Sequence, residues 1–188
     1  MGPRWRPALW ALALSCLLLG AVAQADAGLA IRGGQISLHD EVYYLSAQID
    51  YRLSSAAREG MHSGLPLTFE LQIELERPRA WWWNKSVASL SQRYRLRYHD
   101  LTGRYILTNL NSGESSSYGH ESSVVNALGR VESLPLIDRR LLSEDTLYLV
   151  RLRARLDLSS LPQPLRTLAA ASRQWRPSSD WVQWWLQV

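Results

Sequence analysis

The sequence predicts a mainly β, antiparallel β-sandwich-like domain with two or three short helices, placed after an N-terminal signal peptide. Three observations lead there. From about residue 26 onward, oily and polar residues alternate with a period of two, which sends one set of side chains to a core and the other to water. Helical patches are few and short. The opening residues differ in character, with a basic start (Arg4, Arg6), an apolar stretch from Ala8 to Ala23 and small residues before Asp26.

That opening reads as a secretory leader over residues 1–25, followed by one β-rich domain over residues 26–188. Cleavage after Ala23, Ala25 or Ala27 satisfies the small-x-small form, and the middle site is favoured. The expected location is therefore the periplasm. The alternative is an uncleaved segment anchored in the inner membrane, because the apolar stretch falls just short of the roughly 20 residues that span a bilayer comfortably. Cys16, the single cysteine, would leave with the leader, so the mature domain holds together through its core without disulfides.

The first strand is expected around Ala30 to Leu38, with Gly33-Gly34 marking a bulge or bend. The second carries the apolar series Tyr43, Leu45, Ala47, Ile49, Tyr51 and Leu53 against Ser46, Gln48, Asp50 and Arg52. Ser54 or Ser55 caps a short helix through Met61, which Gly64 closes and Pro66 keeps from resuming. A third strand turns Phe69, Leu71, Ile73 and Leu75 inward and Glu70, Gln72, Glu74 and Glu76 outward, and Pro78 ends it. Beyond Trp81-Trp82-Trp83 a connection of small residues leads to Tyr94, Leu96 and Tyr98, which alternate with Arg93, Arg95 and Arg97 and form a hairpin with Tyr105 to Leu110 across Leu101-Thr102-Gly103. Asn111 to Gly119 reads as a mobile loop, and Glu121 to Leu128 as a helix stopped by Gly129. Leu141-Leu142 belong to a brief helical turn or loop. The last long strand runs from Leu147 to Leu158, a third helix lies near Leu165 to Ala171, and Trp181 to Leu186 form a terminal strand. A single antiparallel sheet packed on its helices is the runner-up architecture.

Composition bounds the chemistry. At 46% hydrophobic and 20% charged residues the chain is that of a folded globular protein. Taking Arg4 and Arg6 from the whole-chain charge of +4 leaves +2, a weak field that excludes nucleic acid as a partner. No nucleophile elbow, phosphate-cradling glycine loop or cysteine nucleophile is present, and His120-Glu121 lacks the second histidine of a zinc-protease helix. Neither a catalytic residue, a cofactor nor a metal is expected, and the protein is read as no enzyme. An active site would have to gather two or more of His39, His99, His120, Asp100 and Glu121 in one cleft. The sequon Asn84-Lys85-Ser86 is read as coincidence, because the leader has a bacterial composition.

The alternating arginines invite an anion-binding reading, but the Glu70-Glu74-Glu76 row offers opposite charge, so at least one arginine row is expected to face it across neighbouring strands. The tryptophans fall in two clusters. Because neighbours on a strand alternate faces, each cluster should expose at least one ring, suited to sugar stacking, an arginine cap or a membrane interface. Trp82, Trp83, Trp181, Trp184 and Trp185, with Arg79, are the candidate ligand or partner contacts. The opposing reading packs these rings into the open end of the sandwich against Arg77, Arg79 or Arg176.

The run Gly64-Leu65-Pro66-Leu67-Thr68-Phe69 leading to Arg79-Ala80-Trp81-Trp82-Trp83, then Tyr94-Arg95-Leu96-Arg97-Tyr98, and finally Leu156-Asp157 with Leu161-Pro162-Gln163-Pro164-Leu165-Arg166 before Trp175, Ser179-Asp180-Trp181 and Trp184, resembles the proteobacterial domain of unknown function 4390. The likeness covers nearly the whole mature chain. It implies an exported protein of Gram-negative bacteria and carries over no site residue. It further implies a link to a nitrogen-regulation-type sensor kinase, whose gene often lies beside those of this family, and hence to envelope sensing or signalling. The functional expectation is a non-catalytic periplasmic interaction or accessory module whose partner is an envelope protein or ligand, with peripheral membrane contact as a further option. The alternative is a carbohydrate- or lipid-binding module that uses the tryptophans.

Overall fold

The computed structural model describes residues 28–81, 83–171, 175 and 177–188. The leader expected over residues 1–25, with Cys16, and also Trp82 and Arg176, lie outside the described residues. The chain runs β1 (Gly28–His39), β2 (Val42–Arg52), α1 (Ser55–His62), β3 (Leu67–Arg77), β4 (Lys85–His99), β5 (Arg104–Asn109), β6 (Ser115–Tyr118), α2 (Glu121–Gly129), β7 (Arg130–Asp138), β8 (Leu147–Leu156), α3 (Gln163–Ala171) and β9 (Val182–Gln187). The described strands make two sheets, one in the order β1-β2-β7 and one in the order β6-β5-β4-β3-β8-β9. Pairing is antiparallel throughout.

The two-residue rhythm produces this arrangement directly. Tyr43, Leu45, Ala47, Ile49 and Tyr51 of β2 join Phe69, Leu71, Ile73 and Leu75 of β3 and Tyr148, Val150, Leu152, Ala154 and Leu156 of β8 in one continuous buried cluster. Each face of oily residues finds its cover in the other sheet, which is the logic of a sandwich. Phe69, Leu45, Leu71 and Leu152 are completely shielded from solvent, and each side chain of this kind contributes about 1.5 to 3 kcal/mol on burial.

Local chemistry sets the joints. Ser54 Oγ accepts the Ala57 amide at 3.0 Å and starts α1, and Gly64, at φ +88°, supplies the left-handed turn behind it. The ladder between β1 and β2 shifts by one residue between Ile31 and Gly33, so the expected bulge is present, with Arg32 as its extra residue. At Gly129 the end of α2 lies so close to β2 that an added Cβ would sit 2.1 Å from the Ile49 carbonyl oxygen.

Three segments differ from expectation. The small residues after Lys85 are strand, since Ser86, Ala88, Ser89, Leu90 and Ser91 pair with Glu76 to Gln72 on β3. Their own strand preference is weak, but β3 presents a full row of amides and carbonyls that a neighbour must satisfy. Ser115–Tyr118, read as part of a mobile loop, is a short edge strand on β5. It is held by polar contacts, Thr108 Oγ1 with Ser115 Oγ at 2.8 Å and Arg104 Nε donating to Ser117 Oγ at 2.6 Å, which leave no oily alternation to read. Finally, β7 has no signature in the sequence, because Pro135 and the polar Glu132-Ser133 interrupt its pattern. It survives as an edge strand, where a missing amide is tolerated.

Candidate functional site

The outward face of the six-stranded sheet carries the charged rows. In register, Glu70, Gln72, Glu74 and Glu76 of β3 stand opposite Arg155, Arg153, Arg151 and Leu149 of β8. Arg155 reaches Glu70 at 2.5 Å, and Arg151 reaches both Glu74 and Glu76 at 3.2 Å. The arginine row of β8 therefore faces the glutamate row, as the charge pattern predicts, and is largely neutralised. On β4, Arg93 pairs with Asp157 at 2.5 Å. Burial pulls the Asp157 carboxyl upward, but hydrogen bonds from Ser159 and Arg93 outweigh it and hold the group below the usual carboxylate range.

The terminal strand sorts its tryptophans by face. Trp184 stands opposite Val150 and Trp185 opposite Leu149, so the first turns into the sandwich and the second outward. Trp184 lies against β1 at Gly34, where an added Cβ would come within 2.7 Å of its ring. Trp185 is 60% exposed. Just ahead of β9, Trp181 lies beneath two guanidinium groups, with Arg151 4.5 Å and Arg153 5.8 Å from its ring centre, a cation–π stack. The arginines over this ring come from β8; of those named from sequence, Arg77 and Arg79 stand at and beyond the end of β3, and Arg176 lies outside the described residues.

The other cluster belongs to the tip between β3 and β4. It lies past the last paired rung, so strand alternation does not govern it. Both described rings project into solvent, Trp81 at 90% and Trp83 at 91% exposure. The base of the tip is fixed: Asn84 Nδ2 donates to Glu76 Oε2 at 2.8 Å, and Glu76 is tied in turn to Arg151. Glu76, Ala80, Trp81, Trp83, Asn84 and Arg151 line an open groove of about 730 Å³. A second hollow of about 530 Å³ is lined by Arg77, Pro78, Arg79, Ala80, Trp81 and Lys85. Because β8 runs antiparallel to β3, its first residue, the exposed Leu147, lies at the same end of the sheet, as does the end of β9 with Trp185.

Of the residues singled out from sequence, the structure thus gathers Trp83 and Arg79 on one tip and places Trp185 at the same end of the sheet. Trp181 is engaged by arginines and Trp184 by packing; Trp82 lies outside the described residues. The same tip also carries Trp81, Arg77 and Lys85, which are not among the candidate contacts read from sequence. The signal available for them was the sequence Arg77-Pro78-Arg79-Ala80-Trp81-Trp82-Trp83-Asn84-Lys85, which contains three cations, three tryptophans and no acid.

The histidines and their neighbours sit apart. His39 lies against Tyr44, His99 Nδ1 contacts Thr102 Oγ1 at 3.1 Å, and His120 precedes α2, while Glu121 is engaged by Arg58 at 2.9 Å. His62 instead packs against Tyr98 and Tyr105, with ring centres 4.3 and 6.0 Å away. Among the described residues, no three or more His, Cys, Asp or Glu side chains are grouped to hold a metal, and no helix is long and apolar enough to cross a membrane.

The family model described as a domain of unknown function (DUF4390) matches residues 26–185. No curated protein and no solved structure matches the chain.

Proposed function

The chain belongs to the DUF4390 family, and from that footing we propose that it is a non-catalytic, exported accessory module of the cell envelope that recognises its partner with the tryptophan-bearing end of the six-stranded sheet. The observation that carries this reading is the pair of rings, Trp81 and Trp83, held about nine-tenths exposed on a tip whose base is hydrogen-bonded in place. Large aromatic surface kept in water on a positioned loop is characteristic of contact surfaces, where Trp and Arg are enriched. Export rests on the leader, and the envelope partner, with a sensor kinase among the candidates, on the family likeness.

A photo-crosslinking residue placed at Trp83 in living cells tests this. Adducts should form there and be absent when the same residue replaces Ser123 on the exposed face of α2. Equal labelling from both positions would remove the tip as a recognition surface. The mature protein should be released from the periplasm with Asp26 at its N-terminus. Retention of residues 1–25 in the membrane fraction would instead mark an inner-membrane anchor.

A second reading, sugar binding, is favoured by the groove itself, because Glu76, Asn84 and Arg151 place polar groups beside Trp81 and Trp83. Peptidoglycan fragments should then shift tryptophan emission in the parent protein and leave it unmoved in Trp81→Ala. Identical spectra in the two proteins would discard this reading.

A further inference from the structure

We infer that the tip from Arg77 to Lys85 docks on the surface of an anionic phospholipid bilayer, with Trp81 and Trp83 seated at the headgroup level. This rests on the reading of that tip as the recognition surface, and it names the occupant.

Two independent features of the tip point to a negatively charged plane. The first is an uncompensated repulsion. Arg77 and Lys85 are direct cross-strand partners on the last rung of β3 and β4, and like charges placed opposite each other destabilise a sheet. Arg79 adds a third cation to the same hollow. Among the described residues none of the three has a carboxylate within 4.0 Å, although on the same sheet Arg151 has two and Arg155 has one. Glu144 and Asp145, which precede β8 at this end, make no such pair with them either. A stable module that tolerates this repulsion is suited to an external anion that relieves it.

The second feature is the kind of apolar surface beside those charges. Trp81 lines both the cationic hollow and the groove, and Trp83 lines the groove. Indole rings, apolar in body with one N–H donor, partition to the bilayer interface, where one end is oily and the other wet. A protein partner would be expected to bring acids to the cations and a shaped pocket to each ring. A bilayer asks for less, since phosphodiester groups can meet all three cations and the rings need only reach headgroup depth. The hydrogen bond from Asn84 to Glu76 ties the foot of the tip to β3, which limits the ordering entropy lost there on docking.

The test is flotation of the protein, purified in the form in which cells export it, with vesicles of phosphatidylcholine alone and of equal parts phosphatidylcholine and phosphatidylglycerol. Binding to the anionic vesicles should exceed binding to the neutral ones. The triple substitution Arg77→Gln/Arg79→Gln/Lys85→Gln should weaken it by about a hundredfold, the equivalent of three cations near a charged surface. Trp81→Ala/Trp83→Ala should weaken it as well, and both variants should keep the parent circular dichroism spectrum. Salt gives a readout on the unaltered protein, which should be released as the Debye length falls to about 3 Å near 1 M. Equal binding to both vesicle types, no binding at all, or a salt-insensitive complex would overturn the inference. Protein adducts through Trp83 without vesicle binding would sink the membrane inference and leave the interaction module standing. Absence of both would sink the two together.

Discussion

Asp157 shows how much one carboxylate can hold in place. It accepts the Ser159 amide at 2.9 Å, which starts the turn at Leu158–Ser160, and it pairs with Arg93 across to β4. Its folded pKa is depressed, so the stability it contributes is complete above the ordinary carboxylate value near 4 and is lost as the pH falls through the folded value. Asp157→Asn keeps the turn geometry and removes the charge. It should cost about 1 to 3 kcal/mol at pH 6, and the gap from the parent protein in urea midpoint should close on acidification below pH 4; a gap unchanged by acid would refute the charge as its cause. Gly129 is a different case, since its constraint is space. Gly129→Ala drives a methyl into the Ile49 carbonyl, whose backbone cannot step aside, and a loss of about 2 kcal/mol or more is expected, measured as a lower melting temperature.

Elements form where a repeated pattern meets a neighbour that needs it. The third and eighth strands are the plainest case, with alternating oily residues inside and complementary charges outside. A double-mutant cycle on Glu74 and Arg151 should return a coupling of about 0.2 to 1 kcal/mol, the range for exposed cross-strand pairs; a value indistinguishable from zero would mean the charge row is mere decoration. These strands, the Ser54 cap and the helix ended at Gly129 were legible because their signals lie within a few consecutive residues. The fourth strand was legible only in its second half. Its first half, from Lys85, owes its conformation to hydrogen-bonding groups on a strand separate in sequence, and Ser115–Tyr118 forms for the same reason.

On the scale of the whole molecule, Trp184 and Trp83 have opposite fates. Trp184 lies between the sheets, so Trp184→Ala should lower stability by about 3 kcal/mol, whereas Trp83→Ala should change it by less than about 0.5 kcal/mol, as for other exposed positions. Calorimetric melts of the pair check this, and equal losses would contradict the division between packing and contact surface. By itself the sequence determined that the body is built of antiparallel strands, which of their faces are oily, and that arginine and glutamate rows complement one another. Those features follow from side-chain order along one strand, a property with a range of two residues. Only the tertiary structure decided that Trp184 packs inward, that Trp181 is stacked by Arg151 and Arg153, and that Trp81, Trp83, Arg77, Arg79 and Lys85 share one projecting tip. Exposure depends on what lies across from a residue in space, and the strands that supply it are far apart in the chain, as Gly34 and Trp184 are.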